Sequence, residues 1–183
     1  MSDPASFRVD LGGGAVLRRY EMDDLEAVWS LVQAEHDRLG VWMPWVATTI
    51  SIDVQRAWLE RVLANPSTLD GCGLWADGLY AGGVGLSWDP FEIAGELGYW
   101  VGSEFEGRGL VTRACSALID HAFGGLGLHR MSIRAGVENV RSRAVAERLG
   151  FRLEGVHRGE GRGSAGFYDL AVYGLLEDDW PRD

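Results

Sequence analysis

Glu106-Gly-Arg-Gly-Leu-Val-Thr112 stands between a strand-like run, Glu96 to Val101, and an amphipathic stretch that begins near Gly109. Glycines at a strand-to-helix junction let a ligand approach the backbone closely. They also leave the N–H groups of the first helical turn pointing outward, where the helix dipole favours anions. The segment therefore reads as a phosphate cradle. About thirty residues later Asn139-Val-Arg-Ser142, closed by Leu149-Gly150-Phe151, reads as a polar helix start able to face the same ligand.

Working outward, Ala15 to Tyr20 reads as a strand, and Asp23-Asp-Leu-Glu26 has the acid-x-x-Glu pattern of a helix start. Leu25, Val28, Trp29 and Val32 recur at helical spacing, which predicts an amphipathic helix from Asp24 to about Arg38. Gly40-Val-Trp-Met-Pro-Trp-Val46 breaks it. Ser51 caps a second helix to about Ala64, with Trp58, Leu59, Val62 and Leu63 on its apolar side and Asn65-Pro66 as its stop. Gly73 to Ala76 and Leu79 to Leu86 flank the two-residue turn Asp77-Gly78, and Ile93 to Val101 continues the meander.

A third helix is expected from Gly109 to about Phe123, a strand from Arg130 to Val137, and a short helix from Val140 to Leu149 closed by Gly150. Two last strands, Phe151 to Arg158 and Phe167 to Leu176, flank a glycine-rich turn from Gly159 to Gly166. The expected order is β-α-α-β-β-β-α-β-α-β-β: an α/β fold whose mixed, mostly antiparallel sheet carries helices on both faces. No linker or repeat divides it, so residues 1–183 read as one domain with a core at about 15–180.

Composition narrows the function. No apolar run approaches the ~20 residues that span a bilayer, and Met1 to Phe7 is polar and poor in basic charge, so neither a membrane span nor a signal peptide is expected. Cys72 and Cys115 lack metal or redox spacing, fit a reducing cytoplasm and read as buried small apolar residues. There is no lysine, which excludes a lysine nucleophile, a Schiff base and a P-loop lysine. His36, His121, His129 and His157 have no metal-ligand spacing. Of the net charge of −10, the segment Glu106 to Arg162 carries +4 and the remainder −14. A basic segment around an anion cradle suits an anionic cofactor and a cationic second substrate, and the acidic whole argues against nucleic acid. Equally, the arginines can lie on solvated helix faces.

The order of elements, with Glu96-Leu-Gly-Tyr-Trp-Val101, Glu106-Gly-Arg-Gly109, Asn139-x-x-Ser142 and Arg148-Leu-Gly-Phe151, resembles the GNAT superfamily of N-acetyltransferases. Within it, the chain is similar to the branch that acetylates the N-terminal amine of ribosomal proteins. The resemblance implies acetyl-CoA as co-substrate, without a metal. Gly107, Arg108, Gly109, Leu110, Val111 and Thr112 would bind its pyrophosphate, while Trp100, Val101, Asn139 and Ser142 would take the pantetheine arm. Two residues depart from the pattern: Glu106 replaces Gln or Arg and is expected to point away from the phosphates, and Val111 replaces a small residue.

Acyl transfer needs a base for the amine and an acid for the departing thiolate. Many relatives carry a tyrosine acid on the short helix, but that position is Ala146 here. Ser142 is the substitute that the branch suggests, or else simply bonds the helix start. Glu96 is the candidate base or an exposed strand carboxylate, and Glu160, near Asp169 on the late hairpin, is the second choice. Trp42, Met43 and Trp45 around Pro44 form an acceptor wall or a plug on the sheet. Tyr168 joins the acceptor-side residues, although Tyr168 and Tyr173 also read as strand aromatics that pack. The acceptor is then a protein N-terminus or a small-molecule amine; a non-catalytic acyl-CoA-binding module is the reading of a different class. A homodimer is compatible with the architecture.

Overall fold

The computed structural model describes residues 7–65, 69–89 and 91–181. The expectations for Met1 to Ser6 and for Pro66 as a helix stop lie outside them. One eight-stranded sheet runs in the order β1-β2-β3-β4-β5-β6-β8-β7. The strands are β1 (Arg8–Gly12), β2 (Ala15–Arg19), β3 (Leu69–Ala76), β4 (Leu79–Asp89), β5 (Ala94–Val101), β6 (Arg130–Gly136), β7 (Arg152–Gly163) and β8 (Gly166–Leu176). Every neighbouring pair is antiparallel except β5 and β6. The helices are α1 (Leu25–Ala34), α2 (His36–Gly40), α3 (Ile52–Leu63), α4 (Leu110–Asp120) and α5 (Val140–Arg148).

Three details differ from the expectation. An additional strand, β1, precedes the first expected one, joined through Gly12, Gly13 and Gly14. The first helix is broken after Ala34, where Glu35 leaves helical geometry, into α1 and α2. The supposed Gly159–Gly166 turn is largely strand: β7 runs to Gly163, with a bulge between His157 and Gly161 that contains Glu160.

The sheet separates two cores. On one face Leu110, Ala114, Cys115, Leu118 and Ile119 of α4 and Ala146 of α5 pack on Leu74, Leu97, Met131 and Ile133. On the other, Leu25, Val28 and Val32 of α1 and Leu59 of α3 pack on Tyr20 and Tyr80. Both cysteines are buried and unbridged, and burial pushes the Cys72 thiol up to about 12. The helix ends follow local rules. Ser51 Oγ accepts from Val54 N–H at 3.4 Å, and Asn139 Oδ1 accepts from Ser142 N–H at 3.2 Å. Gly150, at φ +83°, closes α5, with Phe151 N–H bonded to Ala146 O and Gly150 N–H to Glu147 O. That paired closure accounts for the Arg148-Leu-Gly-Phe151 motif.

The α1/α3 face is floored by aromatic rings lying on a glycine-rich part of the sheet. Tyr20 and Tyr80 share a buried hydroxyl hydrogen bond of 2.8 Å, and Trp75 and Trp58 meet Tyr20 edge-on. A Cβ on Gly73 would lie 2.0 Å from the Trp75 ring and 2.9 Å from that of Tyr20. Gly73→Val should therefore cost about 1–3 kcal/mol by overpacking. Gly124→Ala, where a Cβ meets nothing within 4 Å, should stay within about 0.5 kcal/mol of the parent. Urea denaturation of the two variants checks this.

Candidate active site

β5 pairs with β4 over its whole length but with β6 only from Ala94 to Leu97. Beyond Leu97 and Ile133 the strands part, because β6 continues along β8 to Gly136. The inner edge of β5 from Gly98 to Val101 is left without a strand partner, a slot for an extended ligand arm. A Cβ on Gly98 would meet nothing within 4 Å, so the face of β5 is open there. At the end of the strand lies the loop Glu106–Gly109. Gly107 and Gly109 hold φ of +73° and +69°, values that disfavour any side chain. The first backbone bond of α4 is Arg113 N–H to Gly109 O at 3.1 Å. The N–H groups from Gly107 to Thr112 therefore donate to no described acceptor, the arrangement that receives an anion at a helix start.

Glu106 is neutralised in place. Its carboxylate accepts from Arg38 Nη1 at 2.9 Å and from Arg141 of α5. Arg38 also donates to Val101 O and to Glu35, and Glu35 in turn accepts from the N–H and Oγ of Ser103 at 2.8 and 2.6 Å. This clasp joins α2, the end of β5, the cradle loop and α5. Arg108 is tied to Asp77 at 2.6 Å, and Arg148 bonds the Thr112 hydroxyl at 3.2 Å. Leu110 is core, and Val111 packs at its edge.

The candidate acid–base groups lie on both faces of β5. Glu96, Gly98 and Trp100 face one side; Leu97, Tyr99 and Val101 face the α4/α5 core. Arg134 bridges Glu96 (3.0 Å) and Glu160 (2.9 Å), so the two candidate bases share one guanidinium. Glu160 also bonds His157, and Asp169 holds the bulge by accepting from Gly159 N–H at 2.7 Å. Ser142 Oγ donates to Tyr99 Oη at 3.2 Å, and Tyr99 donates to Ser142 O at 2.9 Å. Burial pushes the Tyr99 phenol well above its ordinary range, so it remains a proton donor. The Asn139 carbonyl oxygen is spent on the α5 cap. Among the described residues, no group of three or more His, Cys, Asp or Glu is placed to hold a metal.

A cavity of about 650 Å³ opens on the α1/α3 face of β4 and β5. Met43, Trp45, Glu96 and Trp100 line it, and the rings of Trp45 and Trp100 lie 6.2 Å apart. Trp42 and Tyr168 stand outside this lining and pack on each other, centroids 5.2 Å apart, with the Tyr168 hydroxyl donating to Trp42 O at 2.7 Å. Tyr173 is core and bonds Glu147 at 2.9 Å.

Comparison with known proteins agrees with this arrangement. Residues 15–152 match the acetyltransferase (GNAT) domain family, a segment that holds β2 to α5 with the slot and the cradle. The chain belongs to that family. By this membership it is an acetyltransferase, and its sheet is the GNAT sheet. It is 36% identical over 169 residues, 90% of its length and 92% of the relative's, to YdaF of Bacillus subtilis, a protein classed provisionally as a ribosomal N-acetyltransferase. A 67-residue stretch, 37% of each chain, is 39% identical to the ribosomal-protein-serine acetyltransferase of Escherichia coli. A crystal structure of a probable acetyltransferase superposes with a TM-score of 0.89 at 35% identity, covering 95% of this chain and 99% of the other. RimL, the ribosomal L7/L12 alpha-N-protein acetyltransferase solved with coenzyme A, shares the fold at a TM-score of 0.86 and 22% identity, over 93% and 98% of the two chains.

Four residues of the site had not been singled out from sequence. Tyr99 could have been found, because strand alternation puts it with Leu97. Gln55 could also have been found, because it falls on the apolar stripe of Trp58, Leu59 and Val62. Arg38 and Arg134 act through long-range pairs, for which the sequence carries no local signal. Glu35 offers a check on the clasp. Burial works to raise its carboxyl, but the Ser103 donors and Arg38 outweigh it and hold the group below the ordinary glutamate value of 4.5. A carboxyl lowered by folding stabilises above its unfolded value, and the benefit is lost as pH falls through the folded one. Glu35→Gln should thus be less stable at pH 7 and show a flatter loss of stability below pH 4.5, read from urea midpoints across pH.

Proposed function

We propose that this acetyltransferase moves an acetyl group from acetyl-CoA to the N-terminal α-amine of a protein, a ribosomal protein in the first instance, in the cytoplasm, with residues 1–183 working as one domain. The observation that carries the reading is the parting of β5 from β6 beside an outward-facing cradle, with an open cavity on the adjoining face. The names of the relatives supply the acceptor class.

The residues fit the cofactor chemically. Free N–H groups from Gly107 to Thr112 match a pyrophosphate, and the inner edge of β5 matches the alternating amides of a pantetheine arm. When bound, acetyl-CoA supplies an activated acyl carbon and a thiol leaving group. The protein's part is proton handling and placement. An α-amine, with a pKa of about 8, is partly neutral already, so a modest base suffices. Glu96 lies on the cavity face and takes the amine proton through one water, while Arg134 fixes the carboxylate. On the other face, turning the Tyr99 hydroxyl from the Ser142 carbonyl to Ser142 Oγ releases the serine proton toward the departing sulfur.

Thiol release from acetyl-CoA, with mass analysis of the acceptor, tests the reading on peptides, spermidine, free amino acids and an aminoglycoside. One added acetyl on a peptide α-amine is expected. Addition to small amines alone would remove the protein acceptor, and coenzyme A binding without turnover would leave a binding module. Glu96→Gln and Ser142→Ala should each lower kcat about 100-fold while coenzyme A affinity by calorimetry holds. Full turnover in both would overturn these roles.

A further inference from the structure

The walls of the cavity on the α1/α3 face do not match every amine. Val28, Val32, Trp45, Trp58, Tyr80 and Trp100 make it mainly apolar and aromatic. Glu96 and Arg61 are its only charged residues among those described, and Glu96 is already paired with Arg134. A polycation would find no second carboxylate there. An alanine or serine side chain would leave most of about 650 Å³ unfilled against aromatic surface, whereas a large apolar group would displace water from it.

One polar group interrupts this wall. Gln55, in the first half of α3, is 5% exposed and lines the cavity, yet its side-chain amide has no hydrogen-bond partner among the described residues. No fully buried side-chain polar atom among the described residues lacks a partner, so the Gln55 amide opens onto the cavity, where a ligand can take up its hydrogen bonds. A carboxamide both donates and accepts, which matches the C=O and N–H of another amide rather than a lone ammonium.

Building on the proposed acetyl transfer, we propose that the acceptor is an α-amine flanked by a large apolar side chain and an amide, as at a protein N-terminus beginning with Leu, Met or Phe, with Gln55 hydrogen-bonding that amide. Gln55 is then a specificity-determining residue, and Trp45 and Trp100 form the wall that receives the side chain. The small-residue starts Ala and Ser become the poorer acceptors.

The test is acetylation of peptides identical but for a first residue of Leu, Met, Phe, Ala or Ser, together with leucinamide and isoamylamine, the same side chain without the amide. The large apolar starts should exceed Ala and Ser by about 10- to 100-fold in kcat/KM. Leucinamide should exceed isoamylamine, and Gln55→Leu should collapse that ratio toward one. Trp45→Ala, at a position 38% exposed and so tolerant of truncation, should narrow the Phe-to-Ala ratio. Equal or faster acetylation of Ala and Ser peptides, or an amide preference that survives Gln55→Leu, would overturn the inference while the proposed function stands. Acetylation of leucinamide but of no peptide would remove the protein acceptor and keep the inference. Turnover on no amine, with coenzyme A still bound, would remove both.

Discussion

Strand β5 answers to two neighbours whose directions diverge, and the site follows from that conflict. Eight pairs hold it to β4, four to β6, and beyond Leu97 the two demands cannot both be met. β6 is meanwhile held by β8 as far as Gly136. Backbone N–H and C=O groups left inside a protein must find partners. One is already met, since Arg38 donates to Val101 O. The remainder of the edge is a template of alternating donors and acceptors, and an extended arm of amides can complete it as a short strand would. The cradle, the clasp and the cavity all lie where this edge ends or faces.

The two-residue alternation of a strand then assigns the chemistry to sides. Glu96 and Trp100 look into the cavity, while Tyr99 looks toward α5 and Ser142. A proton acceptor and a proton donor therefore stand on opposite faces of one strand, four residues or fewer apart, with the slot between them. That separation suits a reaction in which an amine arrives from one side and a sulfur departs toward the other. In the proposed reaction it also keeps the two proton paths apart, because the strand itself stands between Glu96 and Ser142. A register slip of one residue would exchange the faces, so the antiparallel pairing with β4 governs which side Glu96 and Tyr99 face as well as the fold.

How much could be read beforehand depended on whether the determinant was local. The cradle, the α4 start and the closure of α5 by Gly150 and Phe151 follow rules that span a few residues, and they were legible. So was the general order of elements. β1 was not, since Arg8 to Gly12 is short, and its pairing with β2 depends on three consecutive glycines that look like a linker. Nor was the break at Glu35: helical periodicity runs on through it, and only the bonds to Ser103 and Arg38 show why the residue is committed elsewhere. The late hairpin was misjudged for a related reason. Glycines that suggest a turn here accommodate close neighbours: a Cβ on Gly161 would strike the Tyr168 ring at 2.1 Å. At the site, sequence suggested acidic bases but not that Glu96 and Glu160 share Arg134. It also suggested that Glu106 would turn from the phosphates, but not that two arginines hold it.

Electrostatics adds a further constraint on how the cradle works. The basic segment looked like an attractor for an anion, but six of its ten arginines are committed to carboxylates: Arg108, Arg130, Arg134, Arg141, Arg143 and Arg152. In the proposed cofactor site the anion would be met by backbone N–H groups, which are fixed in direction and need no reorganisation. The paired arginines are not wasted, however. Exposed ion pairs contribute only about 0–1 kcal/mol, so exchanging a carboxylate for a phosphate costs little. Arg141, whose side chain is 81% exposed, holds Glu106 and so ties the cradle loop to α5. Glu106, one of the two residues that depart from the expected pattern, thus keeps the guanidinium groups of Arg38 and Arg141 beside the cradle loop.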